Sequence, residues 1–83
     1  MKMRKSEDIA FGRVIRELRL ARGLTQQQLG NAVSMSYQQI QKYETGANRV
    51  AISTLFGLAN CLGMTPSDLL LKVEHQLNGT VGE

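Results

Sequence analysis

Between Thr25 and Gly46 the chain reads TQQQLGNAVSMSYQQIQKYETG, and Tyr37, Gln38, Gln39, Gln41 and Lys42 crowd its second half. A glutamine amide carries a donor beside an acceptor, which matches N6 and N7 of adenine. A lysine ammonium donates to O6 or N7 of guanine. A tyrosine can press its ring on a thymine methyl or donate its hydroxyl to a phosphate. No acid interrupts the run before Glu44. Such a set can read base edges if a rigid element holds it outward. An ordinary polar surface helix has the same composition, so the flanking sequence has to decide.

The flanks supply two helix starts. Thr25 with Gln28 is a capping box, and Ser36 with Gln39 is a second one eleven residues later. Two helices with only a turn between them, over Val33 to Ser36, form the local pattern of a helix-turn-helix. In the first, Leu29, Ala32 and Val33 supply an inner face. Gly30 is unfavourable inside a helix by about 1 kcal/mol against Ala, which predicts the close passage of another helix backbone. In the second, Ile40 and Tyr43 face inward, and Thr45-Gly46 ends it.

Other helices must carry this pair. Ser6, Glu7 and Asp8 resemble a helix start, and Phe11, Val14, Ile15 and Leu18 follow an amphipathic spacing up to Gly23. Arg13, Arg16, Arg19 and Arg22 form a slanting band beside that stripe, mostly solvated, with Arg19 next to core position Leu18. After the polar loop Ala47-Asn48-Arg49, a fourth helix begins at Ile52 or Ser53 and faces Leu55, Leu58, Ala59 and Leu62 inward. Thr65 as N-cap, Pro66 at the first turn and Asp68 start a fifth. Its Leu69, Leu70, Leu71 and Val73 exceed what a short terminal helix can bury, which predicts a dimer contact. From about Gln76 the chain reads as a tail.

The organisation expected is therefore a basic arm over residues 1–7, one all-α domain over 8–73 and a flexible tail over 74–83. Residues 1–49 hold nine Lys/Arg against four Asp/Glu, whereas 50–83 hold one against three. The basic half fits a polyanionic partner, nucleic acid or an anionic membrane, or else a solvated face. No apolar run approaches the roughly 18 residues of a membrane span. MKMRKSEDIA begins basic but lacks the apolar stretch of a secretory signal. Cys61 is the single cysteine, so no internal disulfide forms, which fits a reducing cytoplasm. It reads as a helix-4 packing or surface residue, and His75 as solvent-exposed. No nucleophile motif, phosphate-cradling glycine loop or metal spacing is present in the sequence, so no enzyme, cofactor or metal is expected.

Several segments together resemble the Cro/repressor (XRE-type) helix-turn-helix family. They are Phe11-Gly12 with Ile15–Arg19, GLTQQQL at Gly23–Leu29, QQIQKYETG at Gln38–Gly46, NRV at Asn48–Val50, and LGMTPSDLL at Leu62–Leu70. The resemblance covers roughly residues 8–71. It implies a compact five-helix bundle, lambda-repressor-like, with helices 2 and 3 as the DNA-reading pair, and a homodimer on a palindromic operator. Ser36, Tyr37, Gln38, Gln39 and Lys42 match positions that reach base edges or nearby phosphates. Gln26, Asn48 and Arg49 match phosphate-backbone positions, and Gln41 is expected on phosphate as well. Arg19 and Glu44 match a semi-buried ion pair between helices 1 and 3. Two positions depart from the family: Ser34 stands where it prefers glycine in a left-handed turn, and Ala51 where a Ser or Thr often caps helix 4.

These readings predict a small cytoplasmic regulator of prokaryotic or phage type that binds double-stranded DNA as a homodimer. No membrane or small-molecule ligand is expected. The alternative is a protein-interaction module of the same fold, such as the antitoxin of a toxin-antitoxin pair, with DNA binding secondary or absent.

Overall fold

The computed structural model describes residues 5–78, which form five helices: α1 (Ser6–Ala21), α2 (Gln26–Ala32), α3 (Tyr37–Glu44), α4 (Ile52–Cys61) and α5 (Pro66–Asn78). Each sends one large side chain wholly inside. These are Ile15, Leu29, Ile40, Leu58 and Leu69. Burying an aliphatic side chain contributes about 1.5–3 kcal/mol, so five of them from five elements tie the bundle into one core. α1 packs against both α3 and α5, α2 against α3 and α4, and α4 against α5.

Local chemistry sets most boundaries. α1 carries Glu7 and Asp8 in its first turn and Arg19 in its last, each at the favourable end of the dipole. Lys5 occupies its N-cap with no side-chain bond, and the helix starts at Ser6 as the Ser6-Glu7-Asp8 pattern predicts, two residues inside the stretch assigned to the arm. Residues 1–4 of that arm lie outside the described residues. At α2 both halves of the capping box form: Gln28 N donates to Thr25 Oγ1 at 3.0 Å, and Thr25 N to Gln28 Oε1 at 2.8 Å. At α3 Gln39 N donates to Ser36 Oγ at 3.2 Å, and the cap is this one bond rather than the reciprocal box expected.

The turn between α2 and α3 is built around Ser34, whose φ of 59° lies in the left-handed region. There Met35 N donates to Gly30 O at 2.8 Å and Ser34 N to Asn31 O at 3.3 Å, closing the helix end. The fold of this turn explains Gly30 differently from the sequence. A Cβ on Gly30 would lie 2.5 Å from Met35 O, so the backbone passing close is the turn itself, not another helix. Ala32, expected on the inner face, is exposed.

α4 starts at Ile52, not Ser53, although Ala51 at its N-cap offers no side-chain bond. Leu55 N reaches Ala51 O at 2.9 Å, and burial of Leu55, Leu58 and Ala59 holds the helix without a cap. α5 opens as expected, Asp68 N donating to Thr65 Oγ1 at 3.0 Å. It then continues to Asn78, through the stretch expected as tail, because Val73 and half-buried Gln76 keep its later turns against α1. Residues 79–83 of the expected tail lie outside the described residues.

The four-residue apolar surplus on α5 divides. Leu69 and Val73 belong to the core, which corrects their expected place in a dimer contact. Leu70 and Leu71 are each 49% exposed, and Leu77 joins them outside. Arg22, expected in solvent, is exposed and yet makes one long-range bond. Its Nε donates to Leu62 O at 2.9 Å and ties the end of α1 to the end of α4.

Candidate nucleic-acid interface

Successive residues of an α-helix are rotated by about 100°. On α3 that rotation gathers Tyr37, Gln41, Gln38 and Lys42, in that order, into one arc of about 140°. All four are exposed, Tyr37 at 46%. Ile40 and Tyr43 occupy the opposite arc and are buried, and Glu44, which the rotation sets beside Tyr37 at the other end of the helix, is buried as well. Gln39 falls at the border beside Tyr43 and is half-buried, so α3 does not bring it onto the open arc with the others. Ser36 is exposed at the head of the helix, but its Oγ already accepts the capping bond.

The inward end of α3 is anchored by charge. Arg19 Nε donates to Glu44 Oε2 at 2.6 Å and Arg19 Nη2 to Glu44 Oε1 at 3.0 Å, a two-pronged pair between α1 and α3. Arg19 Nη1 also donates to Leu24 O at 2.8 Å. Both side chains are nearly sealed from solvent. The hydrogen bond to Glu44 raises the arginine pKa above its ordinary value, burial works against it, and the charge of Glu44 adds to the rise. The guanidinium is thus held charged in an interior that would otherwise disfavour it.

Gln26 opens α2, where free backbone N–H groups favour a phosphate. Its side chain is not loose. Gln26 Nε2 donates to Glu44 Oε1 at 3.1 Å, so one carboxylate joins the starts and ends of three helices. Sequence reasoning missed this contact because its partners stand 18 residues apart in unrelated local patterns. It also missed Asp8, whose Oδ2 lies 3.8 Å from Arg49 Nε. Arg49 stays largely exposed, and so does Asn48 beside it in the loop after α3. Charge opposition between the first turn of α1 and this loop was the available signal.

The surface bounded by Gln26, the arc of α3 and the Asn48-Arg49 loop can donate to phosphates at its edges and present amide, ammonium and phenol groups at its centre. That is the division of contacts by which proteins position themselves on a duplex and read it. Among the described residues no three His, Cys, Asp or Glu side chains gather at metal-binding distance, and no helix is long and apolar enough to cross a membrane.

Comparison with known proteins places the chain in a family. A helix-turn-helix family model matches residues 15–69. An HTH-type transcriptional regulator of Sinorhizobium fredii is 42% identical over 60 residues, covering 72% of this chain and 42% of that protein. One from Rickettsia conorii is 42% identical over 55 residues, covering 66% of this chain and 44% of that protein. The chain thus spans less than half the length of these relatives. Among solved structures, the restriction-modification controller protein C.AhdI of Aeromonas hydrophila superposes with a TM-score of 0.75 at 29% identity, covering 78% of this chain and 98% of that one.

Proposed function

The chain belongs to the helix-turn-helix family, of the Cro/repressor (XRE) type, and from that premise we propose that it is a sequence-specific DNA-binding transcriptional regulator acting in the cytoplasm as a homodimer. The observation that carries this reading is the open arc of α3. Four side chains suited to base edges or phosphate stand on it, and the only acid of the helix is turned inward onto Arg19. Tyr37, Gln38 and Lys42 enter the major groove, with Ser36 and Gln39 at the margin of the same contact. Gln26, Gln41, Asn48 and Arg49 take phosphates. Two copies related by a twofold axis set their α3 helices on half-sites about 34 Å apart, which makes the operator a palindrome. Leu70 and Leu71, with Leu77, are the exposed apolar groups of α5 that make the dimer contact.

Selection of bound duplexes from a random pool tests the whole reading. The expected outcome is a palindrome, with affinity falling steeply as salt rises and a specific fraction that survives competitor DNA. No binding at low salt would overturn it. The exposed leucines of α5 favour one second reading, in which a different protein covers them and DNA binding is secondary. A chain that is monomeric, binds no DNA and loses a protein partner on substitution of Leu70 and Leu71 would establish that reading instead.

A further inference from the structure

Glu44 faces two donors at once. Its Oε1 accepts from Arg19 Nη2 at 3.0 Å and from Gln26 Nε2 at 3.1 Å, while its Oε2 takes Arg19 Nε. A carboxylate only accepts, so it dictates which end of the Gln26 amide turns toward it. The nitrogen end faces Glu44 and the oxygen end is excluded. An amide nitrogen carries two N–H groups. One is held by Glu44, and the other remains for an acceptor outside. A free glutamine at the start of a helix would offer phosphate its oxygen as readily as its nitrogen, and the oxygen is repelled. Arg19 is needed in the same arrangement. Without its charge, a buried anion would stand directly behind the group that must meet a phosphate.

From this geometry we infer that Glu44, neutralised by Arg19, is a positioning residue for DNA binding: it orients the Gln26 amide so that an N–H is presented to the phosphate backbone at the start of α2. The inference rests on the DNA-binding reading and on the assignment of Gln26 to phosphate. The ion pair then has two tasks, holding α3 to α1 and aiming a side chain of α2.

Two double variants separate the tasks. Arg19→Met/Glu44→Gln and Arg19→Met/Glu44→Met both abolish the ion pair with side chains of similar length. Only the first keeps an acceptor for Gln26. Affinity is measured on a random-sequence duplex and on a selected operator, at a temperature where each variant is shown by circular dichroism to be folded. The Glu44→Gln double is expected to bind both duplexes about fivefold to tenfold tighter than the Glu44→Met double. That difference should vanish when Gln26→Ala is added to each. A purely structural pair would leave the two doubles equal, and that result overturns the inference.

The wild-type chain supplies a readout that no folding defect can obscure. The Gln26 side-chain amide proton held by Glu44 should exchange more slowly than those of exposed Gln38, and equal rates would overturn the inference too. Failure of the wild-type chain to bind DNA sinks the functional reading and the inference with it. Equal doubles with wild-type binding intact sink the positioning role alone.

Discussion

Gly12 of α1 lies against the backbone of Tyr43 in α3: a Cβ built on Gly12 would stand 2.3 Å from Tyr43 O and 2.5 Å from Glu44 O. Neither neighbour is a flexible side-chain tip, so the two helices can approach this closely only with no side chain at position 12. The contact sets the depth at which α3 sits on α1. It also places the last residues of α3 where Arg19, two turns further along the same face of α1, can take Glu44 in two bonds.

Gly12→Ala is therefore expected to be strongly destabilising. Forcing a methyl into packed backbone costs typically about 1–3 kcal/mol, and a domain of this size loses roughly 4–8 °C of melting temperature for each kcal/mol. Gly23→Ala is the control. Nothing lies within 4 Å of a Cβ there, and only the positive φ of 70° opposes it. Thermal melts should show the Gly12 variant falling well below the Gly23 variant. Equal losses would mean that α1 and α3 can move apart without cost.

Glu44→Ala should cost more than most exposed substitutions because it strands Arg19 in the interior. Removing one partner of a buried pair typically loses about 3–5 kcal/mol. Chemical denaturation measures this directly, and an unchanged midpoint would contradict the pair. The sign of the pH effect follows from the raised pKa of Arg19. A basic group raised on folding adds stability below its unfolded pKa and loses it as pH climbs through the folded value. For an arginine both values lie above the range in which the protein would be handled. Arg19 therefore contributes a constant amount of stability across neutral and mildly alkaline pH.

Ser34→Gly is expected to stabilise. The left-handed φ of 59° puts the serine Cβ close to backbone oxygen, a strain of roughly 1–2 kcal/mol, part of which glycine returns as extra freedom in the unfolded chain. A net gain of about 0.5–1 kcal/mol should raise the melting temperature by a few degrees. A loss instead would mean that the serine side chain makes a compensating contact in solution.

What could be read in the sequence, and what could not, follows the range of the interaction. Thr25, Ser36 and Thr65 announce helix starts because a cap is satisfied within three residues of itself. Ile15, Leu29, Ile40, Leu58 and Leu69 are visible through helical spacing. Long side chains crossing the bundle leave no periodic trace: Arg22 looks like one of four equivalent arginines until its Nε is found on Leu62 O, 40 residues away. Arg19 with Glu44 was legible only through family resemblance. Gln26, matched to phosphate, gave no hint that it also belongs to that pair. The leucines of α5 show the opposite limit. Composition reveals an apolar surplus, but only the packed helix shows that Leu69 is inside and Leu71 outside.

That division on α5 makes a paired prediction. Leu69→Glu buries a charge in a fully enclosed site and should abolish folding. Leu71→Glu leaves the monomer intact, since the side chain is already half in solvent, and should shift a dimer toward monomer. Sedimentation analysis beside circular dichroism distinguishes the two. A Leu71→Glu chain that remains dimeric would move the interface elsewhere, and the exposed Ile52 and Phe56 of α4 would be the next apolar groups to test.

The proposed separation of base readers from phosphate positioners can be tested with Gln38, Gln39 and Arg49. Gln38 stands on the open arc, so Gln38→Ala should weaken operator binding by about 1–3 kcal/mol and relax preference at one base position. Gln39 is half-buried at the border of that arc, and Gln39→Ala should alter preference less. Arg49 lies in the loop after α3, off the open arc, so Arg49→Ala should weaken all duplexes alike and lower the salt slope by about 1. Asp8 holds Arg49 at 3.8 Å in the free chain and competes with any phosphate for it. Asp8→Asn should accordingly raise affinity for every sequence by a small, salt-sensitive factor, since an exposed pair is worth at most about 1 kcal/mol. Binding isotherms on operator and random duplexes at several salt concentrations check all four. If Gln38→Ala and Arg49→Ala changed both duplexes equally, α3 would be gripping the backbone rather than reading the groove.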